Sequence, residues 1–160
     1  MDREGAWSGC FWLTPFYFFS EKTLRFATAG RARHPGQGQP YGNIVAFAAT
    51  ADLKHLLFPT TCSTRKYANL SGEPRVAMVV DNRSHQESDF REGIAVTATG
   101  VVRELEGLER EERSMIYLAK HPYLEEFVTS PSCALLQLEV ETYYVVSQFQ
   151  SVVEIQINRR

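Results

Sequence analysis

The chain has 160 residues, 44% hydrophobic and 22% charged, which suits one globular domain with its own core and excludes a disordered chain. Its 17 lysines and arginines against 19 acidic residues leave a formal net charge of −2, so no broad positive field exists for nucleic acid, and any anion site must use local cations. Cys10, Cys62 and Cys133 form no C-x-x-C pair, which implies free thiols and a reducing, cytoplasmic setting.

The first 22 residues are rich in aromatics, but their apolar part is too short to span a bilayer. Asp2 and Glu4 stand where a signal peptide carries basic residues, and Pro15 interrupts the apolar run. This stretch reads as an extension packed on the domain or on a partner subunit, with an upstream or misread start as the other reading. The domain itself is expected over 23–160.

Residues 24–29 alternate apolar and polar, which predicts a short half-buried strand. Glycines and prolines make 30–42 a loop. The apolar stretch 43–49 predicts one buried strand, Ala51 and Asp52 a turn, and 54–58 a returning hairpin partner. Ser63 or Thr64 opens a short helix through Leu70, which Gly72 and Pro74 end. Strands are expected at 75–81 and 94–104, the second with a bulge or bend at Gly100.

The clearest helix covers 107–120, with Leu108, Met115, Ile116 and Leu118 as its apolar side. Glu109, Glu111 and Glu112, with Arg110 and Arg113, read as a solvated face. His121-Pro122 ends the helix, a brief turn follows near 124–128, and strands close the chain at 134–146 and 151–157. Six or seven strands with few helices favour an antiparallel barrel over a parallel βαβ sheet.

The stretch from Thr60 to Leu70 carries the chemistry. Cys62 or Ser63 as a nucleophile would need a base and an orienting group, and neither a G-x-S-x-G elbow nor a protease-type cysteine signature is present. As an anion site the pieces agree better: a capped helix start presents unsatisfied N–H groups, and Arg65 and Lys66 place cations at the same end. Cations at a helix N-terminus are unfavourable unless an anion offsets them. Local chemistry leaves this reading and a plainly capped, solvated helix both open.

No Walker or dinucleotide glycine motif is present; Gly36 and Gly38 sit in a loop with no following helix. His34, His55, His85 and His121 are scattered and never fall at metal-ligand spacing, so no metal site is expected. Asn82 and Arg83, just past a strand end, are candidates for a site rim or a loop cap. Tyr143-Tyr144 could stack on a ring or pack in the core.

The order of these parts resembles the pyridoxamine 5′-phosphate oxidase-like family of FMN-binding split barrels. The likeness rests on Asn43-Ile-Val-Ala-Phe47, on Leu57-Phe58, on Thr60-x-x-x-Thr64-Arg-Lys-Tyr-x-Asn-Leu70 and on Pro74-Arg-Val76. Asp81-Asn82-Arg83, Thr97-Ala-Thr-Gly-Val101 and Tyr143-Tyr-Val-Val-Ser-Gln-Phe-Gln150 are similar to one bacterial branch. The likeness runs from about Phe26 to Ile157.

The resemblance implies a mainly β fold, a split barrel of about six antiparallel strands of Greek-key type with a few short helices. It implies a homodimer with FMN at the subunit interface. Thr64, Arg65 and Lys66 would hold the FMN phosphate, Thr60 would lie near the flavin or its ribityl chain, and Asn43, Ile44 and Val45 would run along the ring. Asn82 and Arg83 would stand at the rim. The Arg-x-His-x-Arg stretch of the pyridoxamine phosphate oxidases is replaced by Ser147-Gln-Phe-Gln150, which speaks against vitamin B6 oxidation. No histidine follows His121, which speaks against the haem-degrading branch.

The expected function is therefore an FMN-dependent oxidoreductase acting on a small-molecule substrate, with no identified catalytic residue and no nucleic-acid or membrane partner. The alternatives are a non-catalytic FMN module for sensing or storage, and a deazaflavin-dependent reductase.

Overall fold

The computed structural model describes residues 24–29, 40–82, 93–147 and 151–157. Its strands are β1 (Leu24–Ala29), β2 (Pro40–Val45), β3 (Ala48–Ala49), β4 (His55–Thr61), β5 (Arg75–Asp81), β6 (Ile94–Glu104), β7 (Cys133–Ser147) and β8 (Ser151–Gln156). Its helices are α1 (Arg65–Gly72), α2 (Gly107–Lys120) and α3 (Glu125–Thr129), the last preceded by a 3₁₀ turn, Pro122–Leu124.

All pairings are antiparallel, in the order β2-β1-β5-β6-β7-β4-β3. The last half of β7 pairs β8 instead of β4. The two outermost strands, β2 and β3, are separated in sequence only by Ala46 and Phe47. Six strand spacings of ~4.8 Å would put them about 29 Å apart in a flat sheet. Three Cα steps of ~3.8 Å, from Val45 to Ala48, span at most about 11 Å. The sheet must therefore curl, and the link closes it into a barrel that stays split between β2 and β3. The single strand expected over 43–49 is thus two strands, because the backbone leaves β1 and joins β4 at this link.

Inside the barrel, alternate residues pack together: Val76, Met78 and Val80 of β5, Val96 and Ala98 of β6, and Leu56 and Phe58 of β4. A second cluster lies outside it, where α2 and α3 bring Tyr117 and Val128 onto Leu57, Leu105 and Leu135. β4 is buried on both faces, so its sequence runs apolar without alternation. β4 also extends past the expected 58 to include Thr60, which is 2% exposed. Pro59 is tolerated there because β4 pairs β7 at that position, while β3 reaches only Leu56 and Leu57.

The bulge expected at Gly100 is present as a register shift between Thr99 and Gly100. A Cβ on Gly100 would run into the backbone of Glu139. The hairpin before β4 turns through Leu53 at φ 57°, a conformation that disfavours a side chain. Thr50 and Asp52 hold that turn: Thr50 Oγ1 donates to Asp52 Oδ1 (2.6 Å), and Asp52 Oδ1 accepts from the Lys54 N–H. Tyr143 Oη donates to the Leu53 carbonyl at 2.6 Å. Tyr143 is itself 2% exposed, so it serves the core.

Helix α2 turns differently from expectation. Leu108 and Met115 are 78% and 67% exposed, while Tyr117 is fully buried. Arg110, expected on a solvated face, donates from Nη2 to the carbonyls of Val128 and Cys133, both at 2.9 Å. The helix docks through Arg110, Tyr117 and, just past its end, His121, and Leu118 of the expected apolar side packs against the outer cluster. Its inward face thus mixes apolar contacts with hydrogen-bonding groups, which hydrophobic periodicity alone cannot reveal.

Candidate functional site

A cavity of about 250 Å³ opens where the barrel is split. Ile44, Val45 and Ala46 form one wall, Pro59, Thr60 and Thr61 at the end of β4 another, and Thr64 and Lys66 of the α1 start the third. Tyr117, Leu124 and Phe127 complete it from α2, the 3₁₀ turn and α3.

Thr64 is the N-cap of α1. Its hydroxyl accepts from the Tyr67 N–H at 3.2 Å and donates to the Thr61 carbonyl at 2.8 Å. A hydroxyl has one proton, so in the 3.1 Å contact between Thr60 and Thr64 hydroxyls, Thr60 is the donor. The strand end, the turn and the helix start are thereby tied into one unit. The Thr64 proton is taken up inside it, which makes Thr64 a fixer of the helix start.

The first-turn N–H groups of α1 point out of the helix; Tyr67 gives its own to Thr64 Oγ1 and Ala68 to the Thr64 carbonyl. No acidic residue occupies that turn. Lys66 is half-buried, lines the cavity, and has no carboxylate partner among the described residues. Burial pushes its pKa down. Here a cation and a helix N-terminus converge on a water-accessible space whose lining, among the described residues, holds no carboxylate, a donor set that fits a phosphate.

Arg65 is exposed and stands over the Tyr41 ring, 4.6 Å from its centroid; it flanks the cavity and is not in its lining. Asn43 is also outside the lining, and its Nδ2 is buried without a hydrogen-bond partner among the described residues. Asn82 lies elsewhere: its Oδ1 accepts from the Ile94 N–H at 2.7 Å, which seals the β5–β6 end. Arg83 lies outside the described residues. Of the ring-side trio, Val45 points into the barrel core, whereas Ile44 is 64% exposed.

Sequence reading missed Ala46, Pro59, Thr61, Tyr117, Leu124 and Phe127. Pro59 and Thr61 flank Thr60 and could have been found by extending the strand. Tyr117, Leu124 and Phe127 carry no local signal, because they arrive from elements far along the chain. Burial raises the Tyr117 pKa beyond the ordinary tyrosine range, so its phenol stays protonated.

The curled sheet, split beside a capped basic helix, defines the chain as a split β-barrel protein. The sequence matches pyridoxamine 5′-phosphate oxidase over residues 17–147, and the chain belongs to that family. No curated protein matches it. Among solved structures it is similar to a heme binding protein from Mycobacterium smegmatis (TM-score 0.73, 16% identity), covering 86% of this chain and 53% of that one. It is also similar to a protein related to general stress protein 26, of the pyridoxinephosphate oxidase family, from Clostridium acetobutylicum (TM-score 0.66, 16% identity, 92% and 94% covered). A third is an FAD-binding protein from Mesorhizobium loti (TM-score 0.61, 17% identity, 86% and 94% covered). The chain thus spans about half the length of the first and nearly all of the other two.

Proposed function

We propose that this chain binds FMN noncovalently and serves as an oxidoreductase between a reduced donor and a small-molecule acceptor. The observation that carries the reading is Lys66: a half-buried cation without a carboxylate partner among the described residues, at a helix start, in a cavity walled otherwise by apolar groups and three threonines. Family membership and the FAD-binding structural relative support a flavin as guest.

Lys66, Arg65 and the N–H groups at the start of α1 would hold the phosphate, with Thr60 and Thr64 fixing that end. The apolar wall at Ile44, Val45 and Ala46 would accommodate the ring, with Asn43 beside it on β2. When bound, FMN supplies two-electron transfer, and the protein supplies position and restricted access.

At about 250 Å³ the cavity is smaller than the ~300–1,000 Å³ typical of pockets that enclose a ligand. Ile44 and Phe127 line it yet remain 64% and 37% exposed. Both facts support a site completed by a second copy, so we take the working form to be a homodimer. Cys62 and Cys133 are free thiols, and no helix among the described residues is long and apolar enough to cross a membrane. Both are compatible with the cytoplasmic setting we assign, and we take 23–160 as the barrel unit, with the first 22 residues as an extension.

The test is the absorbance spectrum and mass of whatever copurifies with the chain. FMN at one per subunit is expected, and Arg65→Ala with Lys66→Ala should leave the protein colourless; full yellow colour in that variant would overturn the phosphate assignment. Turnover with a nicotinamide donor over a panel of acceptors distinguishes an enzyme from a storage or sensor module.

A further inference from the structure

The last turn of α2 sends three side chains onto the two-residue link between β2 and β3. Tyr117 Oη donates to the Ala46 carbonyl at 3.4 Å. His121 Nε2 lies 2.9 Å from the Phe47 carbonyl, and a carbonyl only accepts, so Nε2 carries the proton. His121 Nδ1 then accepts from Tyr123 Oη at 3.2 Å, which fixes the ring from its other side. The Lys120 ammonium stands 4.2 Å from the centroid of the Phe47 ring.

This link closes the barrel and continues directly from the cavity wall at Ile44, Val45 and Ala46. It has no ladder partner of its own: β2 ends at Val45 and β3 begins at Ala48. Without the α2 contacts, two consecutive carbonyls at the barrel's split would be left to solvent or to local rearrangement. Tyr117 also lines the cavity, so the same helical turn shapes the space and holds the strand beside it.

We infer that His121, with Tyr117, is a positioning residue: it latches the Ala46–Phe47 link and thereby sets where the β2 wall of the cofactor cavity stands. The consequence for FMN rests on the flavin reading above; the latch itself does not. The hydrogen bond from His121 acts through the backbone of residues 46 and 47, and His121 need not touch the ligand.

The test compares wild type, His121→Leu, His121→Gln and Tyr143→Phe. Tyr143→Phe removes a buried hydrogen bond at the Leu53 turn and is a control for general loss of stability. Hydrogen–deuterium exchange of the peptide covering 44–49 is measured without added cofactor, and FMN affinity by quenching of flavin fluorescence. In His121→Leu, exchange in 44–49 should speed up about tenfold and FMN should bind roughly tenfold more weakly, the scale of one lost hydrogen bond. His121→Gln, which keeps an N–H donor, should recover most of both, and Tyr143→Phe should change neither.

Unchanged exchange in both His121 variants would overturn the latch, whatever FMN does. Faster exchange with FMN affinity within twofold of wild type would overturn the positioning role. Faster exchange in a protein that binds no FMN at all would sustain the latch and sink the flavin reading. Should His121→Leu fail to fold, Tyr117→Phe, which removes only the hydroxyl bonded to the Ala46 carbonyl, decides: faster exchange in 44–49 sustains the latch and unchanged exchange overturns it.

Discussion

Lys66 and Thr64 sit two residues apart and do different jobs. Lys66 is held half-buried with no carboxylate partner among the described residues, which costs stability that a bound anion would return. Lys66→Met should therefore leave the ligand-free protein equally or slightly more stable in urea denaturation while weakening flavin binding. Loss of both stability and binding would place Lys66 in the scaffold instead. Thr64 caps α1 through its oxygen, so Thr64→Ala should cost about 1 kcal/mol of unfolding free energy, and Thr64→Ser much less. Equal losses in the two would show that the cap bond is unimportant. The Thr-x-x-x-Thr-Arg-Lys spacing was legible because a helix start is local chemistry. The hydroxyl order was not, since it depends on where the Thr61 carbonyl points.

At the scale of elements, α2 shows how far periodicity can mislead. Leu108, Met115, Ile116 and Leu118 suggest an apolar face, and Leu118 does pack inward, yet Leu108 and Met115 face outward and Arg110 faces in. A charged donor serving two carbonyls between α3 and the start of β7 is worth more than an exposed leucine. Arg110→Met should cost about 2 kcal/mol or more in denaturant unfolding, whereas Leu108→Gln should stay within about 0.5 kcal/mol. The reverse ranking would show the helix docked as the sequence suggests. β4 and β7 are the complementary case. Their apolar runs were readable as strands, but that both faces are covered follows only once α2 and α3 are seen to close over the outer one.

For the whole molecule, His55 offers a pH test. Burial and the nearby Arg113 lower its pKa, so the unfolded chain takes up a proton there before the folded one does. Stability is then complete above the ordinary histidine value of ~6.5 and is lost as pH falls through the lower folded value. The melting temperature should drop between pH 7.5 and 5.5, and His55→Gln should flatten that limb. An unchanged pH profile in the variant would assign the drop to other groups.

The sequence alone determined the class of this protein. Alternation and turn residues are read over a few neighbours, and they sufficed for an antiparallel barrel; the family resemblance carried by the order of motifs added that the barrel is split. Tertiary structure decided the rest. Where 43–49 breaks, which face of α2 is buried, and that Tyr117, Leu124 and Phe127 meet Lys66 across the split all depend on the sheet curling until β2 and β3 nearly touch. Closure is a property of the full strand order, and no local window of residues encodes it.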